Sequence, residues 1–229
     1  MLTYMTVWLT IGRPDVNISF VRIRFRPENE KLHLRAVRII FKKGKDIIMK
    51  TNRLYSTIYI GLCAALTAVC SQIQIPAAVP FTLQTFAVFL ACGLLGGKRG
   101  TVSVLIYILL GAVGLPVFAG FKGGIGALLG TTGGYIIGFL FTALVMWLFE
   151  KAPGKKMILL GISMICGLLV CYAFGTAWFI LVYTNTKEPV GIMTALSWCV
   201  FPFIIPDMVK IALALALTSR LRKLITFRT

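Results

Sequence analysis

VPFTLQTFAVFLACGLLGGKRG (Val79–Gly100), continued after a short interval by YILLGAVGLPVFAGFKGGIGALLGTTGGYIIG (Tyr107–Gly138), sets the class of this protein. The stretch is apolar enough to sit in a bilayer, yet Val79–Gly138 holds 14 of the chain's 22 glycines. Hydrocarbon offers no partner to a bare N–H or C=O. Irregular, glycine-rich backbone survives at membrane depth only where protein buries it or where it lines a cavity. A chain that combines the two is expected to hold something inside the membrane.

The rest of the composition agrees. Apolar residues make up 58% of the chain and charged residues 14%. Soluble domains run nearer a quarter charged. The apolar runs are continuous rather than alternating, which predicts membrane helices and not a barrel. The net charge of +17 invites a nucleic-acid reading. The basic residues, however, sit in the first 50 positions or in short clusters between apolar runs, as topology-setting charge does. Cys63, Cys70, Cys92, Cys166, Cys171 and Cys199 all lie in or beside apolar runs without a CxxC, and His33 is the only histidine. They read as small packing residues, and no metal or cofactor is expected.

Residues 1–48 stand apart, with 10 Lys or Arg, four acids and no run long enough to span a membrane. Val16–Phe25 alternates loosely, like an exposed strand with no obvious partner. Met49 then opens MKTNRLYSTIYIGL, a short basic leader before a membrane helix. The chain thus reads as a basic extension over 1–48 and a membrane domain over 49–229. The competing reading is a basic arm lying on an anionic leaflet.

Six apolar segments follow, over about 55–75, 83–97, 101–114, 133–149, 157–183 and 206–221. A straight helix needs about 20 residues to span, so the second and third are short. Pro206 suits a first helical position and is read as the start of the last segment. Alternate connections carry 11 basic residues: Lys50, Arg53, Lys98, Arg99, Lys151, Lys155, Lys156, Arg220, Arg222, Lys223 and Arg228. The opposite loops carry two, Lys122 and Lys187. That asymmetry predicts an all-α protein of six transmembrane helices with both termini cytoplasmic, the glycine-rich external loop capping a ligand pocket.

Asp207 and Lys210 are the sharpest candidates for chemistry. They share a helix face at i and i+3, and IALALALT follows with no polar residue to shelter the lysine. Intramembrane ionisable residues are expensive and face a cavity or each other. The first turn of the last helix, where Asp207 is expected, also favours a carboxylate. The alternative is a structural pair at the outer interface. The loop QIQIPAAVPFTLQ holds Gln72, Gln74, Thr82 and Gln84 between stiffening prolines, which suits hydrogen bonds to a neutral polar ligand. Phe118, Phe121 and Tyr135 beside close-packed glycines suit a flat apolar ligand, although helix packing alone explains glycines too. Tyr172 and Trp178 lie deep in the fifth segment, and Tyr183 fits an interfacial belt. Ala64 and Ala68 form a small-xxx-small pair on the first helix, a spacing that lets helices approach closely.

Enzymatic motifs fail on inspection. GLLGGKRG has the wrong P-loop spacing, and Arg99 stands where Ser or Thr is needed. GISM at Gly161 lacks the second glycine of a nucleophile elbow. An aspartyl protease needs two aspartates, and the membrane domain has only Asp207. Uphill transport would draw its energy from another subunit. A membrane enzyme using Asp207 and Lys210, or a purely structural scaffold, are the readings from other classes.

VPFTLQTFAVFLACGLLGGKRG, LLGAVGLPVFAGFKGGIGALLGTTGGYIIGF, YAFGTAWF and FPFIIPDMVKIALA, in this order over about Met49–Arg222, resemble the BioY family. These are the biotin-specific substrate-capture subunits of bacterial energy-coupling-factor transporters. The resemblance implies a six-helix fold in the cytoplasmic membrane and high-affinity biotin binding. It also implies dependence on a transmembrane coupling subunit and two ATPase subunits. Asp207 and Lys210 match the family's acidic and lysine ligand pair, and Ala64 and Ala68 its small-residue motif against the coupling subunit. Gln84, Phe118, Tyr135 and Trp178 join them as candidate ligand contacts, the rings covering the apolar bicycle. An S-component for another vitamin is the alternative within the class. The chain departs from the family at Thr131, where GPTGGY usually has proline, and residues 1–48 have no counterpart.

Overall fold

The computed structural model describes residues 3–7, 21–25, 53–75, 79–154, 156–186 and 189–222. They fall into two compact units, Met1–Arg53 and Leu54–Thr229. In the first, β1 (Thr3–Val7) pairs antiparallel with β2 (Val21–Phe25), placing Thr3 opposite Phe25 and Val7 opposite Val21. The strand expected over Val16–Phe25 has a partner after all: over Val21–Phe25 its ladder is satisfied by Thr3–Val7, and residues 16–20 lie outside the described residues.

The second unit is helical: α1 (Arg53–Gln72), α2 (Gln84–Leu95), α3 (Gly97–Ala112), α4 (Ile125–Leu129), α5 (Gly133–Glu150), α6 (Lys156–Thr186), α7 (Ile192–Cys199) and α8 (Phe201–Leu221). A minimal hairpin, β3 (Gln74–Ile75) against β4 (Phe81–Thr82), links α1 to α2. Among the described residues, four runs are long and apolar enough to cross a membrane: Arg53–Gln72, Gly133–Glu150, Lys156–Thr186 and Ile192–Leu221. The protein is therefore a multi-pass helical membrane protein. As the segment lengths predict, α2 and α3 are short, at 12 and 16 residues. Gly96, at φ +81°, breaks the chain between them in a conformation that only glycine adopts at little cost.

Lipid tails are as apolar as leucine, so helix pairs gain from close packing rather than from burial out of water. α5 and α6 achieve this by opposing large groups to glycines in both directions. A Cβ on Gly134 would lie 2.3 Å from Trp178, and one on Gly175 would lie 2.3 Å from the Tyr135 ring. Gly138 meets Cys171, and Gly167 meets Thr142. Thr142 also donates its hydroxyl to the Gly167 carbonyl at 2.9 Å. The largest cluster of buried apolar residues centres on these helices and on α2 and α3, with Val88, Phe89, Val104, Tyr107, Phe139 and Leu168 at its heart.

Two expectations are revised. Pro206 does not start the last helix. α8 begins at Phe201 and carries Pro206 inside it, so Asp207 is the seventh residue and lies beyond the first turn. The N–H that Pro206 lacks would have bonded the carbonyl of Pro202, so α8 gives up one backbone bond in its second turn. Second, α1 turns Ala64 inward. It is 2% exposed and belongs to the core cluster, with Ala68 packed partly buried beside it. The outward small residues are Gly61 and Ala65, and nothing lies within 4 Å of a Cβ built on Gly61.

Candidate functional site

A cavity of about 670 Å³ opens at the end of the second unit formed by the β3–β4 hairpin, the loop 113–132 and the first turns of α2, α5 and α8. That volume falls within the range of small-molecule sites. Asp207 and Lys210 line it and are buried, 2% and 6% exposed. Burial withdraws both charges from bulk water, so each is stabilised by the partners it finds here.

The pairing is close. Lys210 Nζ lies 2.7 Å from Asp207 Oδ1 and donates to the Thr82 carbonyl at 2.7 Å. A third, longer bond reaches Thr85 Oγ1 at 3.4 Å. The ammonium also lies 5.2 Å from the centre of the Phe81 ring, which itself stacks on Phe203 at 4.5 Å. Tyr172 donates its hydroxyl to Asp207 Oδ2 at 2.5 Å, and Thr85 donates to Oδ1 at 3.5 Å. Lys210 thus has two short bonds and one weak one, and the carboxylate retains acceptor capacity. The Thr85 bonds are the ones that an incoming polar group would replace at least cost.

The other candidates divide. Gln84 is buried on the cavity wall and donates to the Tyr107 hydroxyl at 2.7 Å, which in turn donates to the Val117 carbonyl at 3.1 Å. Phe118 lines the cavity, packs edge-on to Tyr107 at 5.6 Å, and fits against Gly111. Tyr135 lines it too, its hydroxyl 2.9 Å from Thr176 Oγ1. Trp178 is not brought there. Its indole donates to the Gly130 carbonyl at 3.0 Å and its ring stacks on Phe174, so it fastens the glycine-rich loop from behind. Gln74 and Thr82 line the cavity, whereas Gln72 sits at the end of α1 and binds the loop.

That last contact is extensive. Gln72 donates to the carbonyls of Phe118 and Pro116, at 3.0 and 3.4 Å, and accepts the Phe121 N–H at 3.0 Å. Ser71 donates to the Val117 carbonyl at 2.6 Å. Phe121 is held at φ +55°, a left-handed conformation costly for a bulky residue, so the loop is fixed against some strain.

Tyr172, singled out in the sequence only as a deep aromatic, completes the site with Thr85 and Phe203, which the sequence does not single out. Tyr172 stands 35 positions before Asp207, and no local pattern joins them. Thr85, adjacent to Gln84, is an isolated hydroxyl in an apolar run and carried a usable signal. Lys122, at the exposed rim, was counted only as loop charge.

A cavity that opens at one end of a multi-pass bundle, with a buried ion pair on its wall, defines a membrane protein that binds a small amphipathic solute. Residues 43–227 match the sequence pattern of the BioY family, and the chain belongs to that family. It is 44% identical to a probable biotin transporter BioY of Pyrococcus horikoshii, over 71% of this chain and 93% of that protein. It is 43% identical to the biotin transporter BioY of Thermotoga maritima, over 72% and 94%. The fold matches a crystal structure of the S-component for biotin from an ECF-type ABC transporter. The TM-score is 0.68 at 28% identity, covering 77% of this chain and 95% of that one.

Proposed function

We propose that this chain captures biotin in the cavity and serves as the substrate-specific subunit of an ATP-driven energy-coupling-factor transporter. The observation that carries the proposal is the buried Asp207–Lys210 pair on the wall of a cavity of ligand size, in a chain of the BioY family. Biotin has a ureido head with two N–H donors and one carbonyl, an apolar bicycle and a carboxylated tail. Asp207 accepts a ureido N–H. Lys210 and Thr85 turn their long mutual bond over to the ureido oxygen. Phe118, Tyr135 and Phe203 cover the bicycle, Gln84 holds the wall, and Lys122 at the rim meets the tail carboxylate. Nanomolar affinity requires about −12 kcal/mol, within reach of charge-assisted bonds in such a pocket.

Isothermal titration of biotin into protein purified without the vitamin tests this, with thiamine and riboflavin as parallel ligands. Tight binding of biotin alone is expected. No heat with biotin, or a preference for another vitamin, would overturn it.

The fold proposed is six transmembrane helices, α2 and α3 crossing with the help of their flanking turns and α7 running into α8. The glycine-rich loop caps the pocket on the outer face, and both termini are cytoplasmic. A coupling subunit and two ATPases supply the energy, so the chain itself is not an enzyme. The coupling subunit docks on the outer face of α1, at Gly61 and Ala65. Residues 1–48 lie outside the biotin-binding domain of 49–229. A chain beginning at Met49 is expected to insert, bind biotin and support uptake. Loss of all three would make the basic segment functional.

The Gln72 contacts yield a kinetic expectation. Gln72→Ala removes three bonds from the loop that carries Phe118, and each neutral bond contributes about 0.5–1.5 kcal/mol. Biotin dissociation should accelerate roughly tenfold or more, since the binding loop opens more often. A dissociation rate equal to wild type, measured by radiolabel chase, would mean that the loop is held elsewhere.

A further inference from the structure

A second cavity, of about 580 Å³, opens at the opposite end of the bundle, between the α2–α3 junction, the α5–α6 turn and the last turn of α8. Roughly 22 Å of α8 separates Asp207 in the first cavity from Arg222 in the second. Three cations line it, Arg99, Lys156 and Arg222, against one acid, Glu150. The acid is already engaged: its carboxylate accepts the Gly97 N–H at 2.8 Å, at the start of α3. Arg222 is pinned through Nε to the Gly93 carbonyl at 2.6 Å, which holds its guanidinium at the wall. The apolar part of the wall includes Leu94, Phe149, Leu159 and Leu160, beside Ser163. Leu148 and Ile158, on the two helices joined by the turn, are 72% and 60% exposed, so those helices present apolar side chains outward.

We propose that this cavity binds the phosphate headgroup of an anionic membrane phospholipid. Arginine and lysine together suit a phosphate, the first by its planar fork and the second as a point charge. Basic pockets between helices at the headgroup plane are suited to anionic lipids. A free phosphate or an acidic protein segment would complement the positive charge but leave the leucine and phenylalanine side chains uncovered. The glycerol and the first acyl carbons of a lipid cover it. The inference does not depend on the identity of the solute at the other end.

The test is native mass spectrometry of the full chain released from bilayers containing equal phosphatidylglycerol and phosphatidylcholine. Retention of phosphatidylglycerol roughly 25-fold above phosphatidylcholine is expected, from about a factor of five for each of the two cations in excess of the one acid. Lys156→Gln with Arg222→Gln should reduce that preference about tenfold or more, with biotin titration unchanged as the control for folding. Glu150→Gln should raise it, a gain that misfolding cannot imitate. Equal retention of both lipids would overturn the proposal. So would thermal stabilisation by inorganic phosphate with no lipid retained. So, too, would substitutions that spare lipid retention but break co-purification with the coupling subunit.

Discussion

Lys210→Ala should lower biotin affinity by up to about a hundredfold. The substitution removes a ligand donor and leaves Asp207 charged, 2% exposed and without its closest partner. A hydrogen bond to a charged group contributes about 1.5–3 kcal/mol to binding, where 1.4 kcal/mol is a factor of ten, and the unpaired carboxylate destabilises the fold by about 3–5 kcal/mol besides. The cation also ties α8 to the Thr82 carbonyl of β4, so the hairpin that walls the cavity loosens at the same time. Asp207→Asn should be milder, about tenfold or more, because an amide still accepts but without charge assistance. The double variant Asp207→Leu with Lys210→Met separates binding from folding. Removing both charges together is often neutral for stability, so melting should stay near wild type while binding is lost. If that variant still binds biotin, the pair is structural and the ureido group lies elsewhere.

Ala65→Trp should abolish biotin uptake in cells while leaving binding by the purified subunit intact. Ala65 faces outward on α1 with Gly61, and a ring there blocks the close approach that small residues permit. Ala64→Trp should behave differently. Ala64 is enclosed in the core, so the ring overpacks it at a cost of about 1–3 kcal/mol or more, lowering the melting temperature and disturbing binding. Uptake and binding assays on the two neighbouring variants read this directly. The reverse pattern would mean that α1 is rotated by one residue, about 100°.

The two alanine positions show where sequence reading reaches its limit. Ala64/Ala68 and Gly61/Ala65 have the same spacing on a helix that is apolar all round. Only packing chooses which face turns in. The bounds of α5 and α6 were legible because Pro153 and Gly154 punctuate two long apolar runs. Asp207 and Lys210 were legible because charge in a bilayer needs a reason, and their i,i+3 spacing survived a wrong helix start. Pro206 misled because a proline in the second turn of a helix and one at its first position look alike in a one-dimensional pattern. α4 and α7, at five and eight residues, are too short to show a period. Tyr172 and Trp178 looked equivalent, deep aromatics on one helix. They are six positions apart, so they lie on different faces, and one meets Asp207 while the other meets Gly130.

The reciprocal fit of α5 and α6 bears on how such a subunit changes over evolutionary time. Each ring on one helix occupies the space of a missing side chain on the other: Tyr135 over Gly175, Trp178 over Gly134. A single substitution at either glycine collides with a ring, and a single loss of a ring opens a void. Viable changes on this wall must arrive in matched pairs. The β3–β4 hairpin and the first turns of α8 carry no such mutual lock among the described residues. Lineages that acquire a new solute should therefore diverge on that side of the cavity first, with the two-helix wall inherited as a block.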